Sequence, residues 1–180
     1  MNRVSTLQEQ LRFAHEYFER TMEKVTAEQA HWQPAAQALS IAAQYGHVVV
    51  FEDFTIGGML AGTQPLFATR WAGKTGFSSL PPLPTPATGG IPTWDQWGRA
   101  LKVDLFVARG YAQAVYEATD SFLAALPETS LDEPLDLSGV GLGQRTVGWL
   151  LNGPFLANIH MHCGEISCLK GLQGARGYPG

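Results

Sequence analysis

His47, Asn158, His162 and Glu165 each stand where an apolar residue would continue the buried face of a helix. The line Val147, Leu151, Pro154, Asn158, His162, Glu165, Leu169, Leu172 advances in steps of three and four, and three consecutive turns of it are polar. The stripe Ala43, His47, Val50, Phe54 is interrupted in the same way at His47. Burying imidazole, amide and carboxylate groups costs free energy unless they find partners. Residues four apart on a helix share a face, so Asn158 and His162 can address one point, and His47 can bring a second imidazole from a neighbouring helix. A hydrogen-bonded pocket or a bound metal would each remove the cost. Imidazole suits zinc, nickel, iron or copper, whereas an amide oxygen is a weak ligand for these ions. Three protein ligands plus water would make an open, reactive site and not a closed structural one. Spacing leaves both arrangements open, and a lone histidine in a helical stripe is more often a hydrogen-bonded core residue.

The elements that must position these groups are helical. The first is read from Leu7, Leu11, Ala14, Phe18, Met22 and Val25, with Ser5 and Gln8 as a capping box. Thr26 and Gln29 repeat that signal ahead of a short turn of helix closed by Pro34. A second long helix is expected from about Leu39 to Gly57. From residue 63 to 92 the periodicity disappears into a proline- and glycine-rich loop, which we read as a crossover within one domain spanning 1–180. Phe67, Trp71 and Phe77 should pack part of it back on the body. Thr93 and Gln96 suggest a capped lead-in turn to a third helix, whose stripe runs from Leu105 to Leu126 before Pro127. The fourth helix spans about Thr146 to Leu172, and Pro154 either kinks it or marks its true start. No alternating strands are evident, and the glycines of residues 139–144 read as a flexible connection. Four long amphipathic helices joined by one long crossover make an all-α four-helix bundle.

Composition narrows the function classes. With 180 residues and a net charge of −4, the chain can bury a core, and its scattered lysines and arginines offer no track for a phosphate backbone. A nucleic-acid partner is therefore not expected. The polar first residues lack the apolar stretch of a secretory leader, and no run approaches the ~18 apolar residues of a membrane span. Cys163 and Cys168 are the only cysteines. Five residues apart on a helix, they point about 140° away from each other and cannot pair, which fits a reduced, cytoplasmic setting.

Three segments carry a resemblance. Residues 160–180, HMHCGEISCLKGLQGARGYPG, look like the C-terminal signature of the DinB/YfiT-like family; SIAAQYGHVVVFED, residues 40–53, resembles its second helix, and EQAHWQP, residues 28–34, its early turn. The resemblance implies a DinB-like four-helix bundle, often a homodimer, with a divalent metal held by three histidines. Carried over by position, His47 matches the second-helix histidine and His162 the later member of an HxxxH pair, while the earlier member falls on Asn158. His160 cannot replace it, because two residues along a helix turn a side chain about 200° away. Relatives include thiol-dependent transferases and isomerases, so the resemblance also implies a low-molecular-weight thiol, which a zinc, nickel or iron ion could activate as nucleophile.

The expectation is a metal-dependent enzyme acting on a small electrophile, with His47 and His162 as ligands, Asn158 as a weak third ligand or water holder, and Glu165 as a pocket carboxylate. Glu52 and Asp53, off the His47 face, are expected to be solvated or to fix the tautomer of a ligand imidazole. The alternative is a metal-free small-molecule-binding or structural homodimer with a degenerate site. His15 and His31 are expected at the surface or boundary, Cys163 as a buried apolar residue, and Trp71, Trp94, Trp97 and Trp149 as packing residues, one or two of them at a pocket mouth.

Overall fold

The computed structural model describes residues 2–35, 37–79, 81 and 94–179. Its helices are α1 (Arg3–Thr21), α2 (Ala27–His31), α3 (Ile41–Asp53), α4 (Trp94–Ala100), α5 (Leu105–Ala125), α6 (Val147–Leu150) and α7 (Leu156–Leu172). The four long ones form a bundle in which α1 and α3 each pack against both α5 and α7, so α1 faces α3 across the interior. No helix among the described residues is long and apolar enough to cross a membrane.

Local chemistry sets the helix starts. The Asn2 side chain accepts the Ser5 N–H at 2.8 Å, so α1 begins before the expected Ser5–Gln8 box. The Thr26–Gln29 box is present in both directions, at 3.2 and 3.1 Å. Ser40 caps α3 and Asp104 caps α5 through their side-chain oxygens. Thr93 and most of the 63–92 loop beyond residue 79 lie outside the described residues.

Two expectations are corrected. A short antiparallel ribbon joins β1 (Pro134–Leu137) to β2 (Gly143–Thr146), where the sequence suggested only a flexible connection. Each strand is too short for an alternating pattern to stand out, and the turn depends on Gly141 and Gly143, both at positive φ. The last long helix is also not uniform. Residues Leu151–Phe155 form a π-helical turn containing Pro154, which absorbs the missing N–H without breaking the helix, so the helical path runs on from α6 into α7. A second π segment, Phe54–Leu60, extends α3.

The first half of the long loop is held by one carboxylate. Asp53, 4% exposed, accepts the backbone N–H of Leu66 at 2.8 Å and of Phe67 at 2.9 Å, and the Tyr111 hydroxyl at 2.6 Å. Phe67 is thereby placed in the core, and Trp71 and Phe77 pack against Tyr111. Further on, Gly76 sits at φ +81°, and a Cβ there would lie 2.8 Å from the Ala108 nitrogen and the Asp104 carbonyl oxygen. Only glycine lets the loop lie this close to the start of α5.

Replacing Asp53 by alanine would leave two backbone N–H groups and a hydroxyl buried without acceptors. We expect Asp53→Ala to cost on the order of 3 kcal/mol or more in urea denaturation, against about 1 kcal/mol for Tyr111→Phe, which removes one donor. Equal effects for the two variants would show that Asp53 does not organise the loop.

Candidate functional site

The polar positions of α3 and α7 meet. His47 Nε2 lies 3.2 Å from Asn158 Oδ1, and the rings of His47 and His162 stand edge to face with centroids 4.8 Å apart. An amide oxygen can only accept, so His47 donates through Nε2–H in this pairing. His162 Nδ1 is 2.5 Å from Glu165 Oε2. An ionised carboxylate can only accept, so Nδ1–H of His162 donates to it. Glu165 is half exposed at 48%, whereas the His162 side chain is 14% exposed. His160 is exposed and takes no part. The Nδ2 of Asn158 is buried and has no hydrogen-bond partner.

Of these residues, His47 and Asn158 line a cavity of about 520 Å³, within the range of small-molecule sites. Its walls come from elements far apart in sequence. Phe51 on α3 contributes, as do Phe54, Thr55 and Met59 on the first π segment, Pro154 on the second, and Trp94 at the start of α4. Leu137, Val140 and Leu142 of the ribbon, with Met161 of α7, complete the wall. Val140, Leu142 and Met161 are 37, 38 and 63% exposed, leaving an apolar rim. Of the tryptophans, Trp94 lines the cavity, its ring edge-on to His47 at 5.0 Å.

Glu52 departs from its expected place. It is 1% exposed and not solvated, and the imidazole it holds is that of His15, not His47. His15 Nε2 donates to Glu52 Oε2 at 2.9 Å, and the Thr119 hydroxyl donates to Oε1 at 2.6 Å. The reason is helical phase, since five residues turn Glu52 away from the His47 face. His15, expected at the surface or boundary, is 8% exposed and stacks on Tyr116 at 4.0 Å. One turn on, Glu19 accepts the hydroxyls of Tyr45 and Tyr116, both at 2.9 Å, and burial holds its carboxyl above the usual range despite those bonds. His31 is only partly buried and accepts the Val103 N–H at Nε2, as suits a boundary residue.

A larger hollow of about 670 Å³ lies between α1 and α5, but its polar groups already have partners: Arg12 pairs with Asp120 at 2.7 Å, and His15 with the buried Glu52 of α3. Cys163 is buried, and desolvation raises its thiol to about 11, so it is no ready nucleophile.

The sequence does not point to Thr55 or the ribbon as parts of the site, and Trp94 is the one of the four tryptophans that meets the expectation of a place at a pocket mouth. The one available signal is the run of apolar residues at 135, 137, 140 and 142 in a stretch otherwise suited to solvent.

Comparison with known proteins agrees with the geometry. The family model described as the DinB superfamily matches residues 10–166, a span that contains every residue of the site. A conserved protein from Enterococcus faecalis, solved by crystallography, superposes with a TM-score of 0.77 at 23% identity, covering 96% of this chain and 97% of that one. At that identity the likeness speaks for the fold alone. No curated protein matches.

His47 generates a pH prediction. Burial, and then the neighbouring His162, push its imidazole down to about 4 against the raising effect of the Asn158 bond. A folded value below the unfolded 6.5 means that its contribution to stability is complete above pH 6.5 and is lost as pH falls toward 4. Between pH 7 and pH 5 the loss should be about 2 kcal/mol. His47→Gln should flatten this part of the stability profile, measured by urea midpoints. Parallel profiles for the two proteins would show that His47 is not held neutral.

Proposed function

The chain belongs to the DinB superfamily, and on that premise we propose that it is a small-molecule-binding bundle whose working site is the apolar cavity closed by His47 and Asn158. The observation that carries this reading is the cavity itself. It joins an aromatic and aliphatic wall to a few convergent polar groups, the combination typical of ligand sites. A homodimer, the assembly usual for the resemblance, belongs to the same proposal.

The donor set bears on the metal that the family implies. Among the described residues, no three His, Cys, Asp or Glu side chains come together in a group able to hold an ion. The groups on hand are two imidazoles and one amide, one strong ligand short of three histidines. His47 also donates its Nε2–H to the Asn158 oxygen, so the nitrogen that faces the site lacks a free lone pair in this pairing. These residues do not fit a tightly held resident ion.

One observation favours a second reading. The Glu165 carboxylate accepts from Nδ1 of His162, as carboxylates do behind metal-ligating histidines. On that reading His47 and His162 hold a zinc, nickel or iron ion weakly, with Asn158 beside it, in a thiol-dependent transferase or isomerase of small electrophiles.

Elemental mass spectrometry of untagged protein purified without chelator separates the two. We expect substoichiometric metal in the natural chain and a gain of at least about tenfold in zinc or nickel affinity for Asn158→His, which restores the missing imidazole. Near-stoichiometric metal in the natural chain would overturn the first reading in favour of the second.

A further inference from the structure

We infer that the cavity takes an uncharged, mostly apolar organic molecule carrying a hydrogen-bond acceptor, a carbonyl oxygen being the simplest, which pairs with the Asn158 amide. The inference rests on the proposed cavity reading and specifies its ligand class.

Three observations lead to it. First, among the described residues lining the cavity none carries a carboxylate, ammonium or guanidinium group. An ion entering this space would lose its hydration and meet no opposite charge, so charged ligands are selected against. Second, two polar groups of the lining are left over after every internal bond is made. The Nδ2 of Asn158 is buried and unpartnered, and so is the hydroxyl of Thr55, a residue only 1% exposed. Buried donors without acceptors are rare in folded proteins, and those that line a cavity are places where a ligand or a water completes the set. The Asn158 oxygen is occupied by His47, so the amide offers a donor and selects an acceptor on the ligand. Third, Phe51, Phe54 and Trp94 supply aromatic faces and edges, which fit a flat apolar body better than a flexible polar chain.

Thr55 lies in the π segment that extends α3. A threonine in a regular helix can bond its own preceding turn, as Thr21 does to the Tyr17 carbonyl at 2.8 Å. Thr55 makes no such bond, and its hydroxyl has no partner.

The test compares three probes of nearly equal size by isothermal titration with the full chain after dialysis against chelator. They are 2-acetylnaphthalene, with a neutral carbonyl; 2-ethylnaphthalene, without an acceptor; and 2-naphthoate, which is charged. We expect the ketone to bind about tenfold more tightly than either of the others, the value of one buried hydrogen bond. Asn158→Leu should bring the ketone down to the level of the hydrocarbon, the two probes being compared within the variant, and Thr55→Val serves as a second, milder variant. Naphthoate binding as tightly as the ketone would overturn the preference for uncharged ligands. Ketone and hydrocarbon binding equally would overturn the acceptor requirement and leave the cavity reading standing. If none of the three binds, the cavity reading itself falls, and this inference with it.

Discussion

Helix α3 is buried on nearly every face, so its ionisable side chains are answered by other elements, although the Gln44 amide oxygen is left without a partner. That constraint organises the molecule. Glu52 is answered across the bundle by His15 of α1 and alongside by Thr119 of α5. Asp53 is answered by two backbone donors of the loop and by Tyr111 of α5. His47 is answered by Asn158 of α7. Apolar packing supplies most of the stability of such a bundle, but it tolerates sliding and rotation of one helix against another. Directional bonds from three positions to different elements remove that freedom, because a slipped register would leave ionisable groups buried and unpaired.

The same constraint separates structure from function along one helix. The His15–Glu52–Thr119 and Glu19–Tyr45–Tyr116 groups satisfy themselves, which makes them cement. The groups around His47 do not: Asn158 Nδ2 and Thr55 Oγ1 are left over, and both residues line a cavity. The cavity is bordered by both π segments, one extending α3 and the other carrying Pro154 ahead of α7. A π turn widens the helix and shifts the phase of the residues beyond it, and such turns are frequent at functional sites.

Asn158 is where this chain departs from the three-histidine arrangement that its resemblance implies. An amide in place of an imidazole gives up a strong ligand for a neutral donor and acceptor. In the structure its oxygen accepts from His47, which stays neutral, and its nitrogen is left without a partner. The result is a site without formal charge among its described lining residues, suited to binding an uncharged molecule.

Much of this could be read from the residue pattern. The long helices, their buried faces and the meeting of His47 with Asn158 and His162 agree with three-four periodicity, because residues on one face of a helix share one environment whatever packs against it. The failures have a common physical origin. Whether Glu52 meets solvent or His15, whether Pro154 kinks or starts a helix or enters a π turn, and whether 134–146 forms a ribbon depend on contacts with chain far away in sequence. Spacing along one helix says which residues point together, but not what stands opposite them. The sequence by itself determined a helical bundle with a polar point between α3 and α7. Tertiary structure alone decided that the point opens into an apolar cavity with two unpaired polar groups, since a cavity is the space left between elements and no single element encodes it.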